Sequence, residues 1–178
     1  LHNEMALDSS AVWLHVSSGV PGWADRLGRT VPILLIGSVL IVGGSALTAL
    51  VYGDWRVFPS VVGIGSSLLL VGVGLSSVVS ARLPYAAVLP GDSPFQQPQT
   101  SGGSAVLSQS ISLAGTILLS VPTIWFAVRA IIESPEWHLA ALACGLGTGL
   151  VVLVLGVAVG GRVFTRRGPE IVGFATSV

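Results

Sequence analysis

Apolar and polar positions in this chain are segregated into blocks rather than alternating. Four runs, 31–52, 57–81, 104–128 and 139–161, contain no Asp, Glu, Lys, Arg or His. A helix needs about 20 mostly apolar residues to cross about 30 Å of hydrocarbon, and each run is long enough. The pattern predicts an all-α, polytopic transmembrane bundle of four membrane-spanning helices. A short interfacial helical segment (1–30) precedes them, a loop (82–103) separates the second from the third, and a tail (162–178) follows the fourth.

Small residues recur within the runs at helical spacing. In the fourth, Ala141, Gly145, Gly149, Gly156 and Gly160 stand at steps of four and seven, which keeps them on one narrow face. Lipid tails give apolar helices no hydrophobic reason to associate, so close backbone approach must supply the contact, and small residues permit it. Gly65, Gly72, Ser76 and Ser80 form a similar stripe in the second run, and Gly37, Gly44 and Thr48 a weaker one in the first. Packing inside the bundle is the expected use of these faces, with dimerisation as the alternative. Pro122 interrupts the third run; it removes one backbone hydrogen bond and is a candidate hinge, with Ser120 and Thr123 placed to satisfy freed carbonyls.

The connections differ in kind. Those around 53–56 and 132–136 are short and join neighbouring helices into hairpins, whereas the stretch from Arg82 to Gly103 carries Pro84, Pro90, Pro94 and Pro98 and excludes a continuous helix. That stretch reads as an extended loop, either a passive linker or a surface for a partner, since proline lowers the entropy lost on docking.

Composition narrows the class. With 52% hydrophobic and 9% charged residues, against about 25% charged in soluble domains, the chain has too little polar surface for a water-soluble globule. Formal net charge is zero and no basic run exceeds Arg166–Arg167, so there is no nucleic-acid footprint. The single cysteine, Cys144, forbids an intrachain disulfide and reads as a small lipid-facing or packing residue. His2, His15 and His138 are too dispersed to suggest a metal site, and His138 reads as interfacial polar surface. Glu133 and Glu136 flank Pro135 as solvated groups, with Arg129 and Glu133 spaced for an i,i+4 pair.

The basic residues are all arginine and set the orientation. Arg26 and Arg29 precede the first run, Arg82 follows the second, and Arg162, Arg166 and Arg167 follow the fourth; only Arg56 and Arg129 fall at the opposite ends. By the positive-inside rule both termini and the middle loop are expected in the cytoplasm; arginine without lysine among abundant Gly, Ala, Val and Leu fits a GC-rich bacterial coding sequence, so the expected setting is a bacterial plasma membrane. Trp55, Trp125 and Trp137 then mark the outer interface, Trp13 and Trp23 the inner one.

Before the first run, Ala11, Val12, Trp13, Leu14 and Val16 form an apolar cluster behind Asp8, Ser9 and Ser10, suited to a short helix capped by Ser9 or Ser10 along the membrane surface. Pro21–Gly22 should end it, and Asp25 to Arg29 suits a second short turn feeding the first span. The run Asn3, Asp8, Trp13, Leu14, then Asp25, Arg26, Leu27, Gly28 and Arg29 entering an apolar helix resembles the cytoplasmic segment of ATP-binding-cassette exporter permeases of the type 2 class. There an N-x-F-G-x-D-G-like stretch precedes a basic turn and a span; here Met5–Ala6 and Ser9 stand where the family often has Phe–Gly and Gly. Ser76 to Tyr85, followed by Pro90 to Phe95, is similar to actinobacterial members. The resemblance implies the C-terminal part of a multi-pass permease whose earlier spans lie before Leu1, and a partner chain that carries the ATPase. A second permease copy is a further implied partner, and Asp25, Arg26, Arg29 and Arg82 are the implied ATPase-coupling residues.

Chemistry internal to the chain points the same way. No G-x-x-x-x-G-K-[ST] occurs and there is no lysine, so ATP hydrolysis is not expected here; no cofactor or catalytic residue is assigned. An ion-coupled carrier usually keeps an ionisable group at membrane depth, where it costs about 2.5–3.5 kcal/mol, and none occurs in the four runs. The expected function is an ATP-driven exporter permease moving a hydrophobic or amphipathic substrate by alternating access. The alternatives are an ion-coupled secondary transporter and a non-transporting membrane scaffold.

Overall fold

The computed structural model describes residues 19–82 and 102–177. Its long helices are α1 (Gly22–Tyr52), α2 (Phe58–Arg82), α3 (Gly102–Ile132) and α4 (Trp137–Ser177), and a 3-10 turn (Trp55–Val57) leads into α2. Four of its helices are long and apolar enough to cross a membrane. The cluster around Trp13 and the proline-rich stretch 83–101 lie outside the described residues.

The helices are longer than the apolar runs that predict them. α1 begins at Gly22, so the turn expected at Asp25–Arg29 is part of the spanning helix and not a separate element. Charge is tolerated there because Asp25 and Arg29 pair along one face. Pro32 lies inside α1 without ending it: the carbonyl that loses its donor is that of Gly28, exposed near the helix start. α4 runs past the expected boundary at 161 to Ser177, so the 162–178 tail is helical for nearly its whole length.

The short connections are built by local chemistry. Gly53 ends α1 with φ 79°, and its N–H is shared by the carbonyls of Ala49 and Leu50. Only glycine adopts that left-handed conformation without steric cost. Asp54 then accepts from the Arg56 N–H at 2.9 Å and starts the 3-10 turn. Between α3 and α4, the Glu133 N–H closes onto the Arg129 carbonyl at 2.8 Å.

Inside and outside are reversed relative to a soluble domain. Ser67, Ser80, Ser108, Ser120 and Thr123 are fully buried, while Val39, Val51, Leu118 and Ile132 are each about 70–80% exposed. On α3, Ser108, Ser120, Thr123, Ala127 and Ala130 face the bundle and Ile117, Leu118, Val121 and Ile124 face out. That distribution suits hydrocarbon surroundings, where apolar surface has no reason to hide and polar groups seek one another.

α2 is the centre of the bundle. It packs on all three other helices, most extensively on α4. The two run parallel: Gly63 meets Ala141 and Gly145, Leu70 meets Gly149, Gly74 meets Val152 and Gly156, and Ser77 meets Gly160. A Cβ on Gly63 would stand 2.7 Å from the Ala141 carbonyl oxygen, and one on Gly160 2.5 Å from that of Ser77. At Gly145 and Gly156 a Cβ would strike the carbonyl oxygens of Gly63 and Gly74. The small-residue stripe on α4 lies in the interface with α2, where it meets a face of α2 other than the Gly65–Gly72 stripe. Gly65 faces Ile41 of α1, Gly72 faces Thr116 of α3, and Gly44 on α1 has open space.

Gly156→Ala is expected to cost about 1–3 kcal/mol, because the added methyl meets backbone that cannot rotate away. Gly147→Ala, where nothing lies within 4 Å, should stay within about 0.5 kcal/mol. Unfolding in mixed detergent micelles measures both; equal losses would refute the α2–α4 contact.

Candidate functional site

Polar chemistry gathers at the two ends of the bundle. At one end the first turns of α1 supply Asp25, Arg26 and Arg29. Spacing of four places Arg29 one turn above Asp25 on the same face, and its Nε and Nη2 donate to both carboxylate oxygens at 3.0–3.1 Å. Arg26 points the other way, into the bundle, and is completely buried. Its Nη1 donates to Ser80 Oγ of α2 at 2.8 Å, its Nε lies 3.6 Å from Asp25 Oδ2, and its guanidinium sits 5.3 Å from the ring centre of Phe164 on α4. One side chain thus joins three helices.

Close packing makes this reach possible. Gly22 rests on the Gly161 backbone, and a Cβ on Gly161 would stand 2.7 Å from the Trp23 nitrogen. Thr30, also buried, turns its hydroxyl back to the Leu27 carbonyl at 3.0 Å. Arg82, the fourth residue expected here, is exposed and ends α2 two positions beyond Ser80.

The opposite end is aromatic. Arg129 of α3 lies between two indoles, 4.8 Å from the ring centre of Trp125 and 5.0 Å from that of Trp137, and its Nε donates to Glu133 at 2.8 Å. Phe126 stacks on Trp137 at 5.5 Å. His138, expected at the polar surface, is instead buried, with Nδ1 2.7 Å from Ser60 Oγ. A crevice of about 180 Å³ lies beside it, lined among others by Tyr52, Asp54, Glu133 and His138. Its ionisable groups Asp54, Glu133 and His138 are already engaged, by the Arg56 N–H, Arg129 and Ser60 respectively. Among the described residues no three His, Cys, Asp or Glu side chains converge as a metal site.

No protein-family model, curated protein or solved structure matches this chain.

Between the two ends, hydroxyls bridge helices through the bundle interior. Ser67 Oγ donates to Ser120 Oγ at 2.9 Å, and Thr123 Oγ1 donates to Cys144 Sγ at 3.7 Å. Ser120 and Thr123 thus bond across to α2 and α4 instead of serving carbonyls freed by Pro122, which is itself exposed within an unbroken α3. Cys144 is a half-buried packing residue rather than a lipid-facing one. Such bonds average about 0.6 kcal/mol in membrane proteins, enough to set register and too little to hold the bundle alone.

Sequence reasoning singled out Asp25, Arg26 and Arg29 but not the groups that receive them, Ser80 and Phe164, nor the His138–Ser60 pair. A usable signal existed on α2. Ser60, Gly63, Ser67, Gly74, Ser77 and Ala81 keep the three-and-four spacing of a packed seam, and all are buried.

Arg26→Met is expected to destabilise the protein by about 3 kcal/mol, since Asp25 remains buried with half its partners, and Ser80→Ala by about 1 kcal/mol. The double variant should fall short of the sum by at least 0.5 kcal/mol, or roughly the lower edge of measured couplings. Strict additivity in the same micellar unfolding experiment would show that the two side chains do not act together.

Proposed function

We propose that this chain is the membrane-spanning part of an exporter whose ATPase resides on a separate polypeptide. The observation that supports this reading is the buried Arg26 joint. It ties α1, α2 and α4 together at one end, and α2 passes from Ser80 through Arg82 directly into the proline-rich stretch that starts at 83. Force applied by a cytoplasmic partner to that stretch enters α2, which packs on all three other helices, so the helices would tilt as a unit and not slide singly. In this reading the Arg26 end faces the cytoplasm of a bacterial cell, as arginine placement favours. Alternating access then follows from rocking of the bundle, with Pro122 as a point of bending and a second permease copy completing the path. Lipid-facing apolar surface on α1 and α3 suits a hydrophobic or amphipathic substrate.

The ion-coupled reading has one observation in its favour, the buried hydrogen-bonded pair His138–Ser60. It lies at the first turn of α4 beside the Trp137 belt, at a membrane border and not at membrane depth, which favours the ATP-driven reading.

Purification of the full-length protein from its native membrane should recover a nucleotide-binding subunit, and vesicles holding both should move substrate only with hydrolysable ATP. Transport that persists without ATP and collapses with a protonophore would transfer the assignment to ion coupling. Recovery alone, with no transport under either condition, would leave the scaffold reading and refute the exporter.

A further inference from the structure

We infer that the crevice between the start of α1 and the far part of α4 binds one anionic phospholipid of the adjoining leaflet, through Arg162 and Arg166. The crevice holds about 440 Å³ and is lined by Pro21, Gly22, Trp23, Ala158, Gly161, Arg162, Thr165 and Arg166. Arg162 and Arg166 stand one helical turn apart and both are exposed. Among the described residues neither has an ion-pair partner, in contrast to Arg26, Arg29 and Arg129. The hydroxyl of Thr165 is turned to the Gly161 carbonyl at 3.0 Å, so the arginines are the charged groups of the lining.

Depth selects the occupant. From Trp137, in the aromatic belt, to Arg162 is 25 residues of α4, a rise of about 38 Å, and about 30 Å of that is hydrocarbon. Arg162 therefore lies in the headgroup layer of the opposite leaflet, with Arg166 one turn further out. Two adjacent guanidiniums at that depth match a phosphodiester, which accepts charge-assisted bonds from both. The remaining lining is apolar: Ala158, the Gly22–Gly161 backbone contact that brings the helices together, and the exposed indole of Trp23. Such a surface accommodates the glycerol and upper acyl segments of a lipid, contact that a free anion cannot make.

The test is native mass spectrometry of the full chain in detergent, titrated with phosphatidylglycerol and, separately, with phosphatidylcholine. Phosphatidylglycerol should be retained in preference, and the R162Q/R166Q variant should bind it about tenfold less tightly. R56Q, at the other end of the bundle, should bind as the parent does, and A158F, which fills the crevice but keeps both arginines, should bind more weakly. Circular dichroism on each variant confirms that helicity is unchanged. Equal retention of the two lipids, an R56Q loss as large as that of the double variant, or displacement of the lipid by inorganic phosphate would overturn the proposal.

Discussion

The bundle depends on backbone touching backbone. Where α2 crosses α4, the carbonyls of Gly63 and Gly74 lie against Gly145 and Gly156, with no side chain between them. In water this contact would add little to the burial of large apolar groups. In hydrocarbon that burial provides no driving force, so the gain must come from dispersion at the shortest possible separation, and glycine permits the shortest. The rest of the fold follows from it. Once α2 and α4 are in register, α1 and α3 are held against α2 from other sides, with Gly37 receiving Leu69 and Gly115 receiving Leu75.

Polar groups act within that frame as locators. Interior hydroxyl bonds at Ser67–Ser120 and Thr123–Cys144 specify which faces meet, while two ionic assemblies mark the ends. The ends are built on different principles. Arg129 remains partly open to its surroundings and is held by indole faces, which suits a border between lipid and water. Arg26 is withdrawn from solvent altogether and satisfies its charge on a neighbouring carboxylate and on a hydroxyl of another helix. A charge held in that way makes relative motion of α1, α2 and α4 at this end costly.

The fold class was legible because membrane insertion imposes a length and a polarity on each segment independently of all the others. The ends of the helices were less so. Hydropathy stops at the first charge, yet α1 continues back through Arg29, Arg26 and Asp25, where the carboxylate pairs with both arginines, and α4 continues beyond Gly161 through Gly168 and Pro169 to Ser177. The candidate site was half legible: Asp25 and Arg29 are local, one turn apart, and their spacing announces the pair. Ser80, Phe164 and the burial of His138 come from distant segments, and no local spacing reveals them.

By itself the sequence determined that four charge-free apolar segments cross a membrane, that Gly145, Gly149, Gly156 and Gly160 form one smooth face, and that Arg26, Arg29, Arg82, Arg162 and Arg166 share an end. Each of these follows from local periodicity or from the alternation of direction that successive spans impose. Only the tertiary structure decided that the smooth face of α4 lies on α2, parallel and non-adjacent in the chain, and that it meets Gly63 and Gly74 instead of Gly65 and Gly72. The reason is physical: several faces of α2 are small enough to receive a helix, and the choice among them is made by the sum of contacts with three neighbours at once. Periodicity along one helix carries no record of that sum.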